Sequence, residues 1–132
     1  MTTREKGDRV PTAPAARTLD HPEPGEITLE GVLHALSDPM RLQIVRFLWP
    51  LEEDEEAPCS AIDLAITKST TTHHFRVLRE AGVIRQVYRG TAKMNALRRG
   101  DLDALYPGLL DAILTADATR REREEPLARS PA

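Results

Sequence analysis

The stretch Lys68–Arg79, KSTTTHHFRVLR, sets hydroxyls, two adjacent imidazoles and two guanidinium groups in one short run. Those residue types allow three kinds of chemistry: metal ligation, phosphate binding by a loop, or contact with DNA. Metal ligation fails on geometry, because His73 and His74 point about 100° apart on a helix, whereas helical histidines that share an ion stand three or four residues apart. The single cysteine, Cys59, has no second cysteine at ligand spacing, so no structural zinc site is expected. A phosphate cradle needs glycines that this run lacks. Nucleophilic catalysis needs Ser or Cys partnered by His and an orienting acid, and nothing in the chain places Cys59 or Ser60 beside His73. No enzyme signature, metal or cofactor is therefore expected.

DNA contact fits better. At helical spacing Thr71, His74, Phe75 and Leu78 gather on one side, and Ser69, Thr72, His73 and Arg76 on the other. The second face carries short hydroxyls, an imidazole and a guanidinium, groups that reach base edges and phosphates in the major groove. The net charge of −3 conceals a segregation: residues 67–100 hold eight Lys and Arg against the one acid Glu80, a local +7 that leaves −10 for the rest. Exposed charge acts mainly within a Debye length of about 8 Å, so such a patch attracts phosphates on an acidic protein. The competing reading is a solvated face whose charges happen to cluster.

The elements that must position this helix follow from periodicity. Leu29, Val32, Leu33 and Leu36 form one face of a first helix, which stops at Ser37-Asp38-Pro39, and the same residues start a second helix carrying Leu42, Ile44, Val45 and Leu48. Pro50 and the acidic run Glu52–Glu56 read as a solvated loop. CSAIDLAI has the length of a short third helix, and 67–81 is the fourth, with Thr67 or Ser69 as its cap and Gly82 just past its end. VIRQVYRGTAKMNAL then reads as a hairpin turning at Arg89-Gly90-Thr91. In the last element Leu102, Leu105, Leu109 and Ile113 fall on one stripe, with a bend at Pro107-Gly108. The fold class expected is mainly α with a small β-hairpin, a winged helix-turn-helix, in one unit of roughly 90 residues.

Both ends are expected to stay outside that unit. Residues 1–25 are rich in proline and charge and poor in large apolar groups, which predicts a disordered leader, and 118–132 predicts a charged flexible tail around a domain at 26–117. No signal-peptide pattern and no run of about 18 apolar residues stands in the sequence, so a cytoplasmic protein with no membrane partner is expected. Cys59 lies near the start of the expected third helix, where a helix dipole favours a thiolate, so a redox role competes with that of a buried inert thiol.

LHALSDPMRLQIVRFL followed by KSTTTHHFRVLREAGVIRQVYRGTAKMNALRR resembles the ArsR/SmtB-type winged helix-turn-helix transcriptional repressors, over about residues 27–115. The resemblance rests on the DPxRL opening of the second helix, the HHxxVLREAG helix and the RGT hairpin tip, in that order. It implies a homodimeric repressor, built through the first and last helices, that sets two copies of the 67–81 helix in successive major grooves of a palindromic double-stranded DNA operator. On this reading Ser69, Thr72, His73 and Arg76 contact bases, Lys68 and Thr70 lie near phosphates, and Arg89 and Lys93 hold the wing to the backbone or minor groove. Leu29, Leu33, Leu102, Leu105, Leu109 and Ile113 form the dimer interface. Metal-sensing members use a cysteine pair near the third helix or Asp and His on the last helix. Here Cys59 is alone and the last helix has Asp111 and Asp117 but no histidine, so the releasing signal is an unidentified small-molecule or redox effector. A metal- or thiol-responsive repressor using Cys59, and a winged helix that binds protein, are the alternatives.

Overall fold

The computed structural model describes residues 16–129. Helix α1, Leu29–Leu36, starts where the Thr28 hydroxyl accepts the Gly31 N–H at 3.0 Å. The next helix, α2 (Pro39–Leu48), starts on Asp38, whose carboxylate accepts the Met40 and Arg41 N–H groups at 2.8 and 3.2 Å. Pro39 stands in the first turn, where its missing N–H costs nothing. Helix α3 is Lys68–Glu80, capped by Thr67 and not by Ser69. It ends at Gly82, with φ 85°, where a Cβ would also lie 2.5 Å from the Ile27 side chain. Only glycine meets both demands.

Strands β1 (Ala16–Thr18), β2 (Ala57–Pro58), β3 (Ile84–Arg89) and β4 (Ala92–Leu97) form one antiparallel sheet in the order β1-β3-β4-β2. The wing is the β3–β4 hairpin, turning through Gly90 and Thr91 with Gly90 at φ 65°. A first turn residue with positive φ followed by one with negative φ suits the twist of the strands. The chain closes with α4, Arg99–Leu105, and α5, Leu109–Arg129. The core gathers Val32, Ile44, Val45, Leu48, Phe75, Leu78, Val83 and Ile84 from α1, α2, α3 and the wing. Three helices and a hairpin thus share one apolar centre, as a winged helix-turn-helix requires.

Several expectations need correction. CSAIDLAI does not form a third α-helix: one 3-10 turn covers Cys59–Ala61, after which Ile62 and Leu64 are buried while Asp63 and Ala65 are exposed. That period of two belongs to extended chain. Residues 16–25 do not join a disordered leader. The backbone of β1 pairs with β3, the His21 Nε2 accepts the Gln86 N–H at 2.9 Å, and Arg98 donates to the Pro22 carbonyl at 2.8 Å. Edge-strand pairing satisfies backbone groups without large apolar side chains, so a composition argument misses it. The expectation for residues 1–15 lies outside the described residues.

Nor does the last helix yield to a tail at residue 118. It continues to Arg129, and across the expected boundary the buried carboxylate of Asp117 is held by Arg120 and Arg121 one turn on, at 2.7 and 3.2 Å, and by Arg46 of α2 at 2.8 Å. Finally, Leu102 is only 3 % exposed in the core of a single chain, so it is not available to a second copy. The expected stripe ran through one bent helix, but the chain breaks at Tyr106–Gly108 and α5 restarts in a different phase, burying Leu110, Leu114 and Asp117. Leu105, Leu109 and Ile113 are half-buried, and Leu29 and Leu33 remain 39 % and 44 % exposed.

Burial pushes the Asp117 carboxyl up, but the hydrogen bonds from Arg46, Arg120 and Arg121 outweigh it and leave the group below the usual aspartate range. A depressed carboxyl stabilises the fold above its unfolded pKa, and that contribution is lost as pH falls below about 4 through the folded value. Asp117→Asn is therefore expected to cost about 1–2 kcal/mol at neutral pH, discounted because the arginines stay partly solvated. The gap from wild type should narrow toward pH 3, as read by urea unfolding at each pH.

Candidate nucleic-acid interface

Burial fixes the rotation of α3. His74, Phe75 and Leu78 are buried and Thr71 is half-buried, while Lys68, Ser69, Thr70, Thr72, His73 and Arg76 are all exposed. The two faces thus fall as the helical spacing predicts: all six expected helix residues are exposed, and Lys68, Ser69, Thr72, His73 and Arg76 share the side opposite the buried face, with Thr70 at its edge. Its first turn contains no acid, and its unpaired N–H groups add partial positive charge beside Lys68. Hydrogen bonds already orient several of these groups. The Thr72 hydroxyl donates to the Lys68 carbonyl at 3.0 Å, Thr70 is tied to Thr67 at 2.8 Å, and Arg76 donates to His73 Nδ1 at 3.0 Å. His73 and Arg76 therefore stand as a pair on the exposed side of the helix, and a guanidinium has further donors beyond the one that His73 takes.

The opposite face is held by a contact that helical spacing alone does not reveal. Arg41 of α2 is buried, and its guanidinium donates to the Ala35 carbonyl at 2.7 Å, the His34 carbonyl at 3.3 Å and His74 Nδ1 at 3.2 Å. An Nδ1 that accepts leaves Nε2 to carry the proton of a neutral ring, and Nε2 stands 3.9 Å from Asp38. Burial lowers the His74 pKa, the Asp38 carboxylate opposes this, and the Arg41 charge lowers it further. His74 is thus a neutral core acceptor that ties α3 to the α1–α2 corner.

The wing is set against α3 by a chain of polar contacts. Arg79 of α3 donates to Gln86 Oε1 at 2.7 Å, Gln86 donates to Asn95 Oδ1 at 2.7 Å, and Asn95 donates to the Ala57 carbonyl at 3.1 Å. Gln86 and Asn95 are fully buried, so the chain is shielded from competing water. The half-buried Cys59 thiol lies beside it, 3.2 Å from Asn95 Nδ2. Between α3 and the wing runs an open groove of about 460 Å³, lined among others by Cys59, Asp63, Lys68, Thr72, Tyr88 and Lys93.

The structure divides the two expected wing cations. Lys93 lines the groove, its ammonium 5.5 Å from the centre of the Tyr88 ring. Arg89 is instead bidentate on Glu56, at 2.7 and 2.8 Å, which leaves it poorly placed as a simple phosphate clamp. The Arg89 hydrogen bond holds the Glu56 carboxyl below the usual range against the opposing effect of burial. Sequence placed Glu56 in a solvated acidic loop, but β2 pairs with β4 and brings that loop to the hairpin. The charge reading also contracts: Arg79 serves Gln86, Arg85 faces Glu56, Arg98 pairs with Asp101, and Arg99 stacks on Trp49. What the outward face of α3 and the groove keep from the basic window is Lys68, Arg76 and Lys93. Among the described residues no three His, Cys, Asp or Glu side chains gather as a metal-ligand set, and no helix is long and apolar enough to cross a membrane.

Comparisons with known proteins agree with this geometry. A family described as a helix-turn-helix domain matches residues 36–87, the span from the end of α1 into β3. The chain is 32 % identical over 84 residues to a curated protein of Bacillus subtilis (strain 168), the uncharacterized HTH-type transcriptional regulator YceK. That alignment covers 62 % of this chain and 82 % of the relative. A crystal structure of an ArsR family transcriptional regulator superposes with a TM-score of 0.50 at 19 % identity, covering 85 % of this chain and all of that one, a likeness of fold.

The adjacent histidines are expected to behave oppositely. His73→Ala should change stability by less than about 0.5 kcal/mol while weakening duplex binding. His74→Ala takes from the buried Arg41 one of its three acceptors and should cost about 1–3 kcal/mol at pH 7.5. A histidine with a depressed pKa stabilises above its unfolded value of about 6.5 and loses that contribution as pH falls below it, so the deficit of His74→Ala should shrink toward pH 5. Melting curves and duplex titrations on the two variants check both statements.

Proposed function

We propose that this chain, which belongs to the helix-turn-helix transcriptional regulators, is an ArsR-type member that acts in the cytoplasm as a homodimeric, sequence-specific repressor with no enzymatic activity. The observation that carries this reading is the polar face of α3, free of acids along Lys68–Arg76 and turned outward by the buried opposite face. Ser69, Thr72 and the His73–Arg76 pair supply base contacts, and Lys68, Thr70 and Lys93 supply phosphate contacts. Each copy presents one such helix of 13 residues, enough for a single major groove. Two copies related by a twofold axis read a palindrome whose half-sites lie about one helical turn, or about 34 Å, apart.

Dimerisation is supported by apolar surface that a single chain leaves uncovered. Leu29 and Leu33 of α1 are exposed, and Leu105, Leu109 and Ile113 present half-buried side chains on α4 and α5. Sharing such surface enlarges the core of a small domain. A thiol-responsive release also has a specific observation behind it. Cys59 Sγ touches Asn95 in the polar chain that orients the wing, so oxidation or modification there would shift the wing against α3.

Selection from random duplexes is expected to return a palindrome bound by two copies, with affinity falling steeply as salt rises because cations displace counterions from phosphates. Binding isotherms at several salt concentrations, with sedimentation of the complex, measure both properties. A salt-independent affinity, or no binding to any selected duplex at low salt, would return the chain to the protein-binding class of winged helices. A single bound copy would remove the dimer.

A further inference from the structure

Strand β1 adds a third strand to the hairpin, and its register sets three side chains in one row. Arg17 stands opposite Tyr88, and Tyr88 stands opposite Lys93. Directly opposed residues of antiparallel strands project to the same face. Both cations lie against the same ring: the Arg17 guanidinium carbon is 4.7 Å from the Tyr88 centroid and the Lys93 ammonium 5.5 Å. The electron-rich ring face attracts each cation, and it lets two like charges gather where they would otherwise repel. Arg17 is exposed.

This row continues the groove beside α3. Tyr88 and Lys93 line that groove together with Lys68 and Thr72, and the one acid among its lining residues is Asp63. The cation nearest the hairpin tip, Arg89, is engaged by both oxygens of Glu56. A backbone running along the groove would therefore meet Lys68, then Lys93, then Arg17. Arg17 reaches this place only because β1 is docked there, held by its pairing to β3 and by the His21 and Arg98 contacts that follow it.

We infer that β1 is a DNA-contacting part of the wing, in which Arg17 and Lys93, spread on the Tyr88 ring, clamp a phosphodiester group of the operator backbone. The inference rests on the DNA-binding reading above and adds to it a contact from a segment N-terminal to the helix-turn-helix. The clamp recognises phosphate alone, so it strengthens binding to all sequences equally.

The test uses the full chain and the duplex recovered by selection with the wild-type protein, titrated over a range of salt. Arg17→Ala is expected to bind several-fold more weakly. Its plot of log affinity against log salt should be shallower by about one for each bound copy, with base preference unchanged. Arg17→Glu should bind more weakly still, and Arg17→Lys, which keeps the charge, should lie near wild type. Equal melting temperatures would show that the variants keep the fold. Wild-type affinity and salt slope in both Arg17→Ala and Arg17→Glu would overturn the inference, and a loss of binding at unchanged salt slope would overturn it too, since the loss of a phosphate contact must lower the slope. Arg76→Ala separates the two readings: if it weakens binding while the Arg17 variants do not, DNA recognition stands and the clamp fails, and if the wild type binds no duplex both fail.

Discussion

The rotation of α3, and with it the polar face it turns outward, depends on one buried guanidinium. Arg41 sits where α1 ends, α2 begins and α3 crosses, and it bonds to groups from α1 and α3 at once. Burying a cation is costly unless each donor finds a partner. Here two partners are carbonyls near the C-terminal end of α1, where the helix dipole places partial negative charge. The third is His74, which stays neutral because burial lowers its pKa. Asp38 completes the corner. Burial pushes its carboxyl up, but the Arg41 and Met40 N–H groups outweigh that and keep it ionised, facing the cation. One dipeptide step, Asp38-Pro39, thus starts α2, and the residue two positions later joins α2 to both neighbours.

With α3 fixed in rotation, its outward face follows without further choice. His73 and His74 are neighbours in sequence, but one is an exposed partner of Arg76 and the other a core acceptor. The wing is oriented by a separate device, the buried amides Gln86 and Asn95 linking Arg79 to Ala57. Such a chain is directional where apolar packing is not, so it sets the angle between helix and hairpin as well as their contact. The groove between them, and the charges along it, are consequences of these two anchors.

Charge is distributed by the same geometry. Arginines that a sequence count assigns to a DNA patch are divided between structural and exposed uses. Arg85 and Arg89 meet Glu56, Arg98 meets Asp101, and Arg99 covers Trp49. Arg17, from a segment that composition assigns to a leader, joins the wing instead. Net charge of a window therefore indicates the kind of partner, and contact geometry indicates which cations face it.

Local signals determined the helices α1, α2 and α3, the hairpin, and the two faces of α3, because each depends on periodicity, caps and turn residues within a few positions. Asp38, Thr67, Gly82 and Gly90 act on their immediate neighbours, and their roles are legible from type and spacing. Contacts between residues far apart in the chain were not legible. The bond of Arg41 to His74, the Glu56–Arg89 pair, the docking of β1 on β3 and the Arg46–Asp117 pair join elements whose relative placement no window of sequence encodes. The phase of α5 escaped for a related reason. A break at Tyr106–Gly108 resets the helical angle, so Leu102 turns into the core while Leu109 and Ile113 stay half-buried. The sequence by itself decided which surface could meet DNA, through spacing along one helix. Tertiary structure decided which cations and apolar groups remain there for a partner, because their availability depends on what each one packs against.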